Sequence, residues 1–267
     1  MKSKSFSNIL NRLFLSGKEF STYRFRLILD INKRVGNHAI KTTSNKFDLC
    51  KEEVSRLHIL GRSGFGMKFL DVGARDGQLT YLLGVTTNMK FDQSFYEKNL
   101  IKFREKYIYF GVDLEAVQLD ADQPEVIVGD ICKVDFMTDH KGQMGEFDVV
   151  YSNNVFEHLE DPFCAARNIW SLCRDGGLIV TVVPFSQRYH ESPDDYFRYT
   201  NRGIEKLFEV AGGVKVIESG YDIKGRRNNW QGTGSFNDIV PKDKFGAWRE
   251  TWFTVCVLQK MENSVSV

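Results

Sequence analysis

The sequence predicts an α/β fold: a seven-stranded, mostly parallel sheet with helices on both faces, preceded by a helical extension. Three observations carry that expectation. Short apolar runs recur along the chain, and several of them stop at an acid or an amide. Helix-like patterns follow the first and fourth of these runs, the strand–helix alternation that a parallel sheet with crossover helices requires. The chain has 267 residues, 42% of them hydrophobic and 13% aromatic, which is enough for one good core with additions.

Residues 1–60 read as the helical extension and 61–267 as the main domain. In the extension Ile9, Leu10, Leu13 and Phe14, then Phe25, Leu27, Ile28 and Ile31, recur near helical spacing, and residues 47–60 read as a further helix. The first strand runs over 68–72 into Gly73 and Gly77, with a helical pattern from 78 to 83. Gly73 lacks the Cβ that would hold a ligand off the backbone, and Gly77 permits a positive φ where the chain turns. The helix start beyond them presents free N–H groups and a positive dipole end. Residues 84–106 read as a long connection. The second strand is 107–113, the third 126–131 with Asp130 at its end, and the fourth 147–153. A helix follows Pro162 and ends at Leu172, where Gly176 and Gly177 fit a left-handed stop. Strands at 178–184, 214–220 and 251–258 complete the sheet. Residues 224–248 form a second long connection, and its Arg226, Arg227, Asn228, Asn229 and Trp230 suit a polar, anionic or sugar-like ligand.

The glycine spacing separates two kinds of nucleotide site. A dinucleotide fingerprint needs a third glycine to pack a pyrophosphate on the helix start. Here Arg75 takes the middle position and Asp71 stands at the strand end. A carboxylate there repels a pyrophosphate but accepts hydrogen bonds from an ammonium group. With acids or amides ending four strands in order (Asp71, Asp113, Asp130, Asn153), residues 66–184 resemble the class I S-adenosylmethionine-dependent methyltransferases, of the type 11-like kind found with bacterial surface-glycan genes. Their first motif ends a strand as D-x-G-x-G-x-G, from which Arg75 departs. The resemblance implies a Rossmann-like sheet and S-adenosylmethionine as cofactor, held by Asp71, Gly73, Ala74, Gly77, Asp113, Leu114, Asp130, Ile131 and Asn153. Asp113 would take both ribose hydroxyls, since a carboxylate accepts two bonds at once. It further implies that Asp130 takes the adenine amino group, that Ile131 packs on the ring, and that the donor methyl lies by Asn153 and Asn154.

A sulfonium methyl needs little activation. The protein must hold the acceptor in line and remove its proton if it is a hydroxyl. Glu157-His158 follows the fourth strand directly, and imidazole is the side chain that ordinarily titrates near neutral pH. His158 is therefore the expected base and His190 the second candidate. His190 lies in the polar, aromatic segment 184–200, which overhangs the site after the fifth strand; Asp195, Tyr196 and Arg198 there, with Glu157, are expected to hold the acceptor. The pattern H-x-x-P-x-D-Y-F-R-Y-T resembles one in methyltransferases of surface-glycan clusters. It implies O-methylation of a sugar, nucleotide sugar or glycan precursor, a sugar-like or phosphate-bearing small molecule. Metal-dependent relatives resemble E-x-x-E-H at this helix. Asn154 replaces their first carboxylate, so no metal is assigned, although Glu157, His158 and His190 offer mixed N/O ligation.

Net charge is +1, which disfavours nucleic acid as partner, although residues 1–45 hold nine Lys or Arg against Glu19 and Asp30. No apolar run approaches the ~18–20 residues of a membrane span, and no signal peptide is evident. Five cysteines scattered singly fit neither a disulfide framework nor a thiolate zinc site, so a reducing cytoplasm is expected. The alternatives are a metal-assisted RNA or small-molecule O-methyltransferase, a nicotinamide-dependent oxidoreductase that the missing glycine disfavours, and a cofactor-binding subunit without turnover.

Overall fold

The structure, a computed structural model, describes residues 49–74, 78–86, 90–115, 126–140, 142, 145–187, 189–190, 194–222 and 252–261. The chain divides into two compact units, residues 1–47 and 48–267, and the described residues belong to the second. The expected helical patterns of residues 9–31, the residues Arg75 and Gly77, and the connection 224–248 lie outside them.

The elements run α1 (Lys51–Leu60), β1 (Met67–Val72), α2 (Gln78–Gly84), α3 (Gln93–Lys106), β2 (Tyr107–Asp113), β3 (Val126–Val128), α4 (Phe136–Asp139), β4 (Phe147–Asn153), α5 (Pro162–Leu172), β5 (Cys173–Ser186), α6 (Asn201–Ala211), β6 (Val214–Asp222) and β7 (Trp252–Lys260). The strands form one seven-stranded sheet in the order β3-β2-β1-β4-β5-β7-β6. Pairing is parallel from β3 to β5, while β7 runs antiparallel to both β5 and β6. The order reverses between β1 and β4, and the ends of β1 to β6 share one carboxyl edge. That is the switch point where open α/β sheets bind ligands.

Alternation along the strands builds two cores. Leu70, Val72, Val150 and Ile179 point to one face, under Ile169 and Leu172 of α5 and Ile204 and Phe208 of α6. Phe69, Val149, Tyr151, Val180 and Val182 point to the other, under Val54 and Ile59 of α1, Leu82 and Leu83 of α2 and Phe103 of α3. Burial on both faces explains why these strands read as continuous apolar runs. Arg56 of α1 donates to the carbonyls of Leu82 and Val85 at 2.6 and 2.7 Å, closing the last turn of α2. Asp222 at the end of β6 accepts from the Lys51 backbone N–H at 3.1 Å, which satisfies one orphan donor at the start of α1.

Four expectations change. Residues 84–106 contain α3, a 14-residue helix whose N-cap Asp92 accepts from Phe95 N–H at 2.9 Å. The third strand stops at Val128, so Asp130 sits in the turn beyond it. Gly176 and Gly177 do not stop α5: Cys173 leaves the helix in extended backbone and enters β5 at once. The glycines instead serve the irregular start of β5, where Gly176 has φ +71° and a Cβ on Gly177 would lie 2.6 Å from the Cys173 sulfur. Finally, Glu157 and His158 lie on a 3-10 turn, Phe156–His158, ahead of α5. The helix itself starts at Pro162, with Asp161 accepting from Cys164 N–H at 2.9 Å.

Candidate active site

The turn after β1 is held by backbone. Gly73 N–H donates to the Val112 carbonyl at 2.8 Å. Its φ of +78° belongs to the left-handed region, and a Cβ there would meet Val155 Cγ2 at 2.6 Å. Only glycine fits, and Ala74 beside it is buried. Asp71, one residue before the strand end, is 1% exposed. Its Oδ2 accepts from Tyr109 Oη at 3.1 Å, and its Oδ1 has no partner among the described residues. Burial pushes its carboxyl up to about 7; the Tyr109 hydrogen bond opposes the rise and the charge of Asp113 adds to it.

Asp113 ends β2, with Oδ1 accepting from Leu114 N–H at 2.8 Å, and Leu114 turns its side chain outward at 57% exposed. Asp130 shapes its own turn, accepting from Cys132 N–H at 2.9 Å with Lys133 Nζ 3.6 Å away. Ile131 packs into the core beside it. At the end of β4, Asn153 Nδ2 donates to Gln78 Oε1 at 2.9 Å, tying β4 to the first residue of α2. Asn154 takes φ +57°, a left-handed conformation that asparagine tolerates, and its N–H donates to the Val182 carbonyl at 2.9 Å.

The second half of the site is a cluster between that turn and the segment after β5. Glu157 is completely buried, and neither carboxyl oxygen has a hydrogen-bond partner among the described residues. Desolvation pushes its carboxyl up to about 8; its own backbone N–H, then Arg198 and Lys51, pull it down, and Asp195 pushes it up. His158 Nδ1 lies 2.5 Å from the Asp194 carbonyl, which only accepts. Nδ1 is therefore the donor of this bond, and Nε2 lies 3.7 Å from Glu157 Oε1. His190 stands edge-on to His158 with ring centroids 5.0 Å apart.

Asp195 organises the overhanging segment. Its fully buried carboxylate takes both terminal nitrogens of Arg198, one at 2.6 Å, and accepts from His190 N–H at 2.8 Å. Its other close neighbour is His190 Nδ1 at 3.3 Å. These bonds hold the Asp195 carboxyl down to about 2, Arg198 being the main cause. Arg198 also donates from Nε to the Gln187 carbonyl at 3.2 Å. Tyr196 N–H donates to the Glu157 carbonyl at 2.8 Å and Phe197 N–H to the same atom at 3.2 Å, fastening the segment to the 3-10 turn. The Tyr196 ring is exposed.

Of the residues singled out from sequence, the structure thus gathers Glu157, His158, His190, Asp195, Tyr196 and Arg198 in one cluster. It strings Asp71, Gly73, Ala74, Asp113, Leu114, Asp130, Ile131 and Asn153 along the strand ends. Arg198 and Asp195 meet each other there. Sequence reasoning missed Tyr109, Gln78 and Lys51, and gave Asn154 no conformational part. The ligand atoms of Glu157, His158 and His190 all lie within 4.8 Å of one another, close enough for one ion.

A methyltransferase-domain family model matches residues 43–217, well over half of the chain, spanning β1 through the first part of β6. The chain belongs to this methyltransferase family. S-adenosylmethionine is the methyltransferase's cofactor. The residues present fit it: a buried Asp71 oxygen without a partner among the described residues, a left-handed glycine turn at the end of β1, and an acid at the tip of β2. Among solved structures, the methyltransferase seen with the Trm112 activator from Haloferax volcanii is 17% identical with a TM-score of 0.50, over 80% of this chain and 91% of that one. A protein of Galdieria sulphuraria assigned as a sarcosine dimethylglycine methyltransferase is 14% identical, TM-score 0.50, over 79% of this chain and 85% of that one. At such identities the likeness shows the fold. No curated protein matches the chain. Among the described residues no helix is long and apolar enough to cross a membrane.

Proposed function

We propose that the methyltransferase O-methylates a small polar acceptor, a sugar, nucleotide sugar or glycan precursor, with His158 as the base. The cofactor, when bound, supplies an electrophilic methyl on a sulfonium centre. Asp71 would accept from its ammonium group, Asp113 from its ribose hydroxyls and Asp130 from its adenine amino group, with Leu114 and Ile131 flanking the ring. Gly73, Ala74 and Gly77 would line it with backbone, and Asn153 would close the methyl end.

The observation that carries the reading is the contact between His158 Nδ1 and the Asp194 carbonyl. Its Nδ1–H is engaged by the Asp194 carbonyl, so Nε2 is the nitrogen left to take an acceptor's proton. His190, packed edge-on and tied to Asp195, supports the ring's position. The unpartnered oxygens of Glu157 support an acceptor that brings hydrogen-bond donors, as a polyol does. Tyr196 offers an exposed aromatic ring on the segment fastened to the same turn, and Asp195 and Arg198 hold that segment.

The test is methyl transfer from S-adenosylmethionine to a panel of sugars, nucleotide sugars, amines and RNA. Transfer to hydroxyls of sugar-like acceptors is expected; transfer confined to amines or RNA would overturn the acceptor class. A second reading is favoured by the closeness of Glu157, His158 and His190: metal-assisted transfer, with these three holding a divalent ion. It expects activity lost in excess chelator and restored by the ion, with metal found on the purified protein. Full activity in chelator and no bound metal would remove it.

A further inference from the structure

Asp71 and Tyr109 form a pair with a consequence for how the cofactor is taken up. Asp71 is 1% exposed, one of its oxygens has no partner among the described residues, and the other accepts from Tyr109 Oη at 3.1 Å. Among the described residues, the titratable groups acting on it are Tyr109 and Asp113 from β2 and Tyr151 from β4. Glu52 and Arg56 of α1 act in turn on Tyr151. This set offers acids and phenols on the near side and no cation in contact. A buried carboxylate without a cation is unfavourable, so the ligand-free protein favours the neutral acid. The cofactor changes that balance, because it brings an ammonium group.

We infer that cofactor binding expels one proton from Asp71 to solvent, and that Tyr109 is the positioning residue that sets how readily the proton leaves. The Asp71 O–H bond breaks, its proton passes to water or buffer, and the carboxylate gains an N–H···O contact to the ammonium; no oxidation is involved. Tyr109 acts by donating to Oδ2, which favours the charged form and leaves Oδ1 for the ligand. The elevation of the Asp71 carboxyl to about 7 places the event near neutral pH. Below that point affinity should weaken about tenfold per pH unit, and above it affinity should level off.

The inference rests on the cofactor reading, and one experiment separates the two. S-adenosylhomocysteine is titrated calorimetrically into the whole protein between about pH 6 and pH 8, in two buffers of different ionisation enthalpy. Wild type should release close to one proton per ligand at the acid end and far less at the alkaline end. Tyr109→Phe should bind more weakly near pH 7, with the levelling-off moved to higher pH and release persisting there. Asp71→Asn, of the same shape, should lose this proton release. Binding with no proton release would overturn the coupling, and a Tyr109→Phe profile identical to wild type would overturn the role of Tyr109. No binding at any pH would instead overturn the cofactor assignment itself.

Discussion

Two buried carboxyls on the same sheet edge are treated in opposite ways. On the proposed cofactor side, Asp71 lies against phenols and another acid, and burial pushes it up to about 7. On the proposed acceptor side, Asp195 faces Arg198 and a backbone N–H, which hold it down to about 2. Both side chains are almost wholly removed from water. Burial alone therefore does not decide the charge of an acid; the partners do. Asp195 is complete within the chain and serves to hold the segment that carries Tyr196 and His190. Among the described residues Asp71 lacks a hydrogen-bond partner for one oxygen and Glu157 for both. A buried acid with an unsatisfied oxygen calls for an explanation, and the proposed function supplies one: a ligand that brings the missing donor.

The contrast is sharpest in stability against pH, measured by denaturant unfolding of ligand-free protein. Asp71 has a folded pKa above its unfolded value, so the folded state keeps its proton longer. Its contribution is fully present below about pH 4 and is lost as pH rises through about 7. Asp71→Asn should remove that loss, making the variant more stable than wild type above neutrality by roughly 4 kcal/mol at most; a deficit there would break the comparison. Asp195 has the opposite sign: its contribution is present above about pH 4 and lost as pH falls through about 2. Asp195→Ala leaves Arg198 without its carboxylate and should lower stability by about 3 kcal/mol at neutral pH. An unchanged midpoint would mean that the ion pair does not hold the segment.

Smaller effects sharpen the cofactor side. Asp113→Ala should weaken S-adenosylhomocysteine binding by about 2 kcal/mol, since two ribose hydroxyls lose a charged acceptor. Calorimetry showing unchanged affinity would take Asp113 out of the site. Gly73→Ala forces a Cβ into the left-handed region and against Val155. A loss of about 1–2 kcal/mol in stability is expected, together with weaker cofactor binding. Wild-type values for both would show that the turn tolerates a side chain.

Much of the sheet was legible because buried strands write their burial as apolar runs, and their ends as acids and amides. The helix α3 was not. Only Asn99 and Phe103 of its fourteen residues are buried, so it carries little of the apolar stripe that betrays a helix in sequence. Gly176 and Gly177 misled for a related reason. Glycine marks a backbone exception, but the pattern does not say whether a helix or a strand needs it. In the site, Glu157 and His158 were legible from their place just after β4. Tyr109 was not, because its bond to Asp71 depends on the pairing of β1 with β2, which sets it beside Phe69. Lys51 acts on Glu157 across more than a hundred residues of sequence, and no local spacing records that. Asn154 did carry a signal, as the residue type that accepts a left-handed turn at a strand end.

The most direct test is single-turnover methyl transfer by wild type and His158→Ala, with S-adenosylhomocysteine affinity measured on the same samples. The account predicts a fall in rate of about 10²-fold or more with affinity unchanged, because the base is lost and the cofactor side is left intact. A near-wild-type rate would contradict it and leave His158 with a packing role.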